Sequence, residues 1–108
     1  MHGVQLQMTQ KSDPYLRKID KHWNEIVDMY LAFRERGTII EFDPNTARII
    51  AYPAMEYLEG LTNRTKDDAK KVYREAHEAD SIMLFVRDVK KKVLRSYIFP
   101  RSDVEETS

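Results

Sequence analysis

Residues 82–99 read IMLFVRDVKKKVLRSYIF, and the way this stretch pairs with itself decides the fold. Two runs, Ile82–Asp88 and Lys92–Phe99, are rich in β-branched, aliphatic and aromatic side chains and flank a short lysine-bearing break, the pattern of a β-hairpin. A slip of one residue exchanges the faces of one strand relative to the other, so burial chooses the register. With Val89, Lys90 and Lys91 as the loop, Val86 lies opposite Leu94, Leu84 opposite Ser96, and Ile82 opposite Ile98, and that face is almost wholly aliphatic. The other face then carries Met83, Phe85, Arg87, Val93, Arg95, Tyr97 and Phe99. A two-residue loop would set Arg95 against Leu84 and bury a charge on the aliphatic face, so the three-residue loop is expected.

A second hairpin stands earlier in the chain. Thr38–Asp43 and Ala47–Tyr52 flank Asp43-Pro44-Asn45-Thr46, where Pro and Asn favour a turn. Pairing about it gathers Ile40, Phe42, Ile49 and Ala51 on one face. Ile39, Ile50 and Tyr52 lie on the other, with Glu41 opposite or diagonal to Arg48. Before this hairpin, Leu16, Ile19, Trp23, Ile26, Tyr30 and Phe33 recur at helical spacing behind Ser12 or Asp13 as cap and Pro14 at the first turn. Gly37 supplies the left-handed exit, so one long helix over 14–36 is expected. Its stripe is broader than a coiled-coil seam and fits packing on a sheet. Between the hairpins a short helix over 54–61 and a longer one beginning at Thr65 carry Leu58 and then Ala69, Val72, Tyr73 and Ala76 inward.

The expected architecture is α+β, with two hairpins forming an antiparallel sheet packed with the long N-terminal helix and one or two shorter ones, in the order α-β-β-α-α-β-β. The 108 residues suit one domain, placed at 13–101, with 1–12 as a loose arm and 102–108 as a flexible acidic tail. Both faces of both hairpins are apolar, whereas a sheet with a solvated face alternates. A second layer must therefore cover the far side, either helices of the same chain or another copy. Homodimerisation is the expectation, with Met83, Phe85, Tyr97 and Phe99 at the contact.

Eighteen Lys and Arg balance eighteen Asp and Glu, which removes the simplest argument for a polyanion binder, and no cysteine is present for thiolate or disulfide chemistry. No apolar run is long enough for a membrane span, and without an export signal the chain is expected in the cytoplasm. His22 and His77 lack the spaced ligand partners a metal needs, Gly3, Gly37 and Gly60 are too isolated to cradle a phosphate, and Ser81 and Ser96 lie in or beside strands rather than on a nucleophile turn. No cofactor or metal is expected.

Charge is nonetheless segregated. Arg87, Lys90, Lys91, Lys92, Arg95 and Arg101 stand against Asp88 alone, a surplus of five in fifteen residues. The reading that follows is a small, soluble, non-enzymatic interaction protein acting as a homodimer. The alternative is a nucleic-acid-binding module that uses those six cations with Phe85, Tyr97 and Phe99, in an extreme form a small toxin-like ribonuclease working through Arg87, Arg95, Tyr97 and His77. Edge protection by the lysine-rich tip explains the same charges without any ligand.

Overall fold

The computed structural model describes residues 13–107, so the arm of residues 1–12 lies outside the described residues. Asp13 caps the first helix, α1 (Pro14–Lys21), by accepting a hydrogen bond from the Tyr15 N–H at 2.9 Å. The expected single helix breaks at His22 (φ −108°, ψ 21°) and resumes as α2 (Trp23–Phe33), followed by a 3₁₀ turn over Arg34–Arg36. No Pro or Gly marks the break. Its cause is tertiary, because α1 must reach the hairpin tips, where Lys18 Nζ donates to the Pro44 carbonyl at 3.2 Å, while α2 lies on the sheet. Gly37 takes the left-handed exit (φ 67°) as expected.

Strands β1 (Thr38–Asp43) and β2 (Arg48–Pro53) pair antiparallel with Phe42 opposite Ile49 and Ile40 opposite Ala51, so the faces of this hairpin are those read from the sequence. Helices α3 (Ala54–Glu59) and α4 (Asn63–Glu78) lead to β3 (Ile82–Asp88) and β4 (Val93–Phe99). The fold class is α+β, but the sheet is mixed rather than antiparallel. Its order is β2-β1-β3-β4, and the central pair, β1 with β3, is parallel. Parallel neighbours need a crossover of a dozen or more residues. Residues 54–81 supply it, carrying the chain across the far face and back to the end of the sheet where β1 begins.

The β3–β4 register differs from expectation by one residue. Asp88 pairs with Val93, Val86 with Arg95, Leu84 with Tyr97 and Ile82 with Phe99, across a four-residue loop that closes on Lys92 in the left-handed region (φ 57°). Asp88 explains the longer loop. Its carboxylate accepts from the Lys91 N–H at 3.2 Å, from Asn45 Nδ2 at 2.9 Å and from the Tyr15 hydroxyl at 2.8 Å, which locks the turn to the other hairpin and to α1. Arg95 opposite Val86 costs little, because it lies on an edge strand, extends over the Tyr15 ring and bonds to Asp13.

Helices cover both faces. On one, α1, α2 and a final helix α5 (Arg101–Thr107) pack Tyr15, Ile19, Ile26, Val27, Tyr30 and Val104 onto Ile40, Phe42, Ile82, Leu84, Val86 and Phe99. On the other, α3 and α4 pack Ala54, Leu58, Ala69 and Ala76 onto Ile39, Met83 and Phe85. The doubly apolar sheet is thus explained by the chain's own helices. Residues 101–107, expected within or beside a flexible tail, are helical because Val104 docks in the first core.

Candidate interaction surface

The far-side helices do not cover the whole sheet. Helix α4 lies over β3, and β4 extends beyond it, so Leu94, Ser96 and Ile98 face outward, with Leu94 37% and Ile98 40% exposed. Between α4 and this strand runs a groove of about 330 Å³, with Met83 and Phe85 as its floor and Thr65, Asp68, Val72 and Ser96 among its walls. Val72, on the rim, is itself 38% exposed.

Both outer strands of a sheet leave one row of backbone N–H and C=O groups without a strand partner. The two edges are built differently. Strand β2 begins at Arg48, ends at Pro53, and contributes Ile49 and Ala51 to the α2 side. Strand β4 runs for seven residues, VLRSYIF, with no proline and a single charge, Arg95. Charges, prolines and bulges are the usual guards of an edge, and β4 has only the one. Arg95 is turned to the α1 face, where its guanidinium meets Asp13 Oδ2 at 3.2 Å.

The residues singled out from the sequence are distributed by the one-residue shift. Met83 and Phe85 are 4% and 3% exposed beneath α3 and α4, while Phe99 is buried on the opposite face against Trp23 at a ring distance of 4.7 Å. Tyr97 is half-buried beside Phe99, its hydroxyl donating to Asp13 Oδ2 at 2.8 Å. Burial, followed by that carboxylate bond, pushes its phenol up to about 12. These four side chains divide between the two faces, Met83 with Phe85 and Tyr97 with Phe99, and three are enclosed by their own chain. Leu94, Ile98 and Val72 take their place at the surface. The sequence carried no separate signal for them, since their exposure depends on the register and on where α4 ends up.

The six cations divide as well. Arg87 Nε donates to Glu41 Oε2 at 2.8 Å, on the oxygen that also accepts from the Tyr57 hydroxyl at 2.8 Å. That bond holds the guanidinium above its ordinary range, while burial and the same carboxylate raise Tyr57. Glu41 lies diagonal to Arg48, as expected, yet spends its carboxylate on Arg87 and Tyr57. Arg95 is held by Asp13, and Arg101 by Glu105 at 3.0 Å. Lys90, Lys91 and Lys92 form the loop tip with no ion pair among the described residues. His77 stacks on Tyr73 at the end of α4, whereas Arg87 lies five residues along β3, roughly 16 Å from the strand's first residue at the usual rise. Arg95 and Tyr97 point to the other face, so the four ribonuclease candidates do not converge.

Among the described residues no cluster of three His, Cys, Asp or Glu could hold a metal, and no helix is long and apolar enough to cross a membrane. Comparison with protein-family models, with curated proteins and with solved structures gives no match.

Proposed function

We propose that this chain is a small non-enzymatic interaction protein that recognises another polypeptide through the flank formed by β4 and the α4–β4 groove. One observation carries the reading. A seven-residue edge strand with one charge lies beside an apolar strip, Leu94, Ile98 and Val72, that stays partly exposed among the described residues. Addition of a strand to such an edge gains main-chain hydrogen bonds, and side chains on the uncovered face supply selectivity. The strand's position is fixed from its inner side, where β4 pairs with β3 along its whole length. The partner we favour is a second copy of the chain, and the working compartment we favour is the cytoplasm.

Hydrogen exchange on dilute protein tests the edge. Outward-directed β4 amides should exchange rapidly while β3 amides are protected, and complete protection of β4 in a monomer would refute the reading.

A second reading, nucleic-acid contact through the lysine tip, draws support from Lys90, Lys91 and Lys92, which follow one another at the turn, although Asp88 beside them accepts from the Lys91 N–H. Arg87, Arg95 and Arg101 are engaged within the chain, so half of the original cation set supports it less than composition implied.

A further inference from the structure

We infer that the turn end of the sheet is a docking face for the surface of an anionic phospholipid bilayer, which the chain touches without crossing. This goes beyond the recognition edge, which runs along the side of the sheet rather than across its end. Because β1 and β3 are parallel, both hairpin turns leave the sheet at the same end, about 10 Å apart at the usual strand spacing. Asn45 of the first turn bonds directly to Asp88 at the second. Helix α1 crosses beside them, with the Tyr15 hydroxyl on Asp88 and Lys18 Nζ on the Pro44 carbonyl. Three segments far apart in sequence are thereby joined into one end face.

That face is basic. Lys18 and Lys21 come from the flank of α1 nearest the first turn, Arg48 from the start of β2, and Lys90, Lys91 and Lys92 from the second turn, all exposed. Residues three apart share a helix flank, so Lys21 follows Lys18, while Asp20 falls on the opposite one. None of the six belongs to an ion pair among the described residues. Two acids lie within the face. Asp43 accepts from the Asn45 N–H, and Asp88 is 3% exposed and accepts three bonds, one of them from the Lys91 N–H. Only the three turn lysines belong to the basic run of the last hairpin; tertiary structure adds the other three cations. Val89 opens the second turn, 64% exposed and next to the lysines. A short apolar tip among lysines suits the headgroup boundary of a bilayer, where each cation near the surface strengthens binding about fivefold. A single-stranded nucleic acid asks instead for rings on which its bases stack. The two rings of this face, Tyr15 and Phe42, are 6% and 0% exposed, so the face fits a lipid surface better.

Sedimentation of the whole chain with vesicles is the test. At about 50 mM salt it should pellet with phosphatidylcholine vesicles carrying about one-third phosphatidylserine, and release by about 200 mM. It should not pellet with phosphatidylcholine alone. Lys90→Gln with Lys91→Gln should weaken binding about thirtyfold, and Lys21→Gln with Arg48→Gln, from the other two segments, should do the same. Val89→Ser should weaken it by about threefold or more. Lys71→Gln with Arg74→Gln removes the same charge from exposed positions on α4 and should change binding by less than about twofold. All these side chains are exposed, and circular dichroism checks that each variant is folded. Absence of binding to the anionic vesicles at low salt overturns the proposal, as does an equal loss from the α4 variant. Loss from the turn lysines alone, with Lys21 and Arg48 without effect, overturns the joined face. Single-stranded RNA bound at the same salt through these cations, with vesicles left unbound, overturns the lipid reading and makes the face a nucleic-acid surface.

Discussion

Glycine at Lys92 and at Lys91 should have opposite effects on stability, and the sign decides the register on which the proposed surface depends. Lys92 closes the β3–β4 loop at φ 57°, a conformation that costs an L-residue about 1–2 kcal/mol and glycine almost nothing. Glycine also loosens the unfolded chain, which opposes the gain by about 0.4–1 kcal/mol. Against Lys92→Ala, which removes the same charge, Lys92→Gly should therefore be more stable by about 0.5–1 kcal/mol. Lys91 has no positive φ, so only the unfolded-state effect operates there, and Lys91→Gly should be less stable than Lys91→Ala by about 0.4–1 kcal/mol. Urea denaturation with a shared slope resolves differences of this size. The three-residue loop read from the sequence places its left-handed residue at Lys91 and reverses both signs. That reversal would return Tyr97 and Phe99 to the face of Met83 and Phe85 and remove Leu94 and Ile98 from it, which would refute the surface described above.

Phe42→Ala empties a fully buried site between α2 and the sheet and should cost about 3–5 kcal/mol in the same denaturation assay. Gly37→Ala places a Cβ 2.9 Å from the Tyr73 hydroxyl at φ 67° and should cost about 1–3 kcal/mol, with an unchanged stability showing that the α2 exit differs. The bonds from Asn45 and then Tyr15 hold the Asp88 carboxyl at about 2, below its ordinary 3.8. Because the folded value is the lower one, that stabilisation is present above pH 3.8 and is lost as pH falls toward 2; Asp88→Asn should flatten this limb of the stability profile, and an unaltered limb would contradict the network. Single-stranded RNA should give no anisotropy change at about 50 mM salt. Binding that collapses by about 200 mM and vanishes when Lys90, Lys91 and Lys92 become Gln would instead establish nucleic-acid contact.

Local chemistry made much of this fold legible. Asp13-Pro14 starts α1, Gly37 ends the α2 region, Pro44-Asn45 turns the first hairpin, and alternation fixes its faces, because each of these depends on φ preferences and side-chain periods that a few residues carry. The class, α+β, followed from the order of the elements. The bend at His22 did not, since it exists to let α1 reach the hairpin tips while α2 lies on the sheet.

Nor did the second hairpin's register. Burial alone favours the register that keeps Arg95 off the aliphatic face, whereas the chain balances that against three hydrogen bonds to Asp88, two of them from residues distant in sequence. The parallel join of β1 to β3 is likewise a product of where α3 and α4 lie. So the sequence by itself determined most of the elements, the faces of the first hairpin and the segregation of charge, while the break at His22 and the last helix waited on packing. Tertiary structure alone decided which apolar residues are covered, leaving Leu94 and Ile98 outside while enclosing Met83, Phe85 and Phe99. The physical reason is that a side chain's character is local, but its exposure depends on what packs above it, and a slip of one residue in a strand exchanges inside for outside.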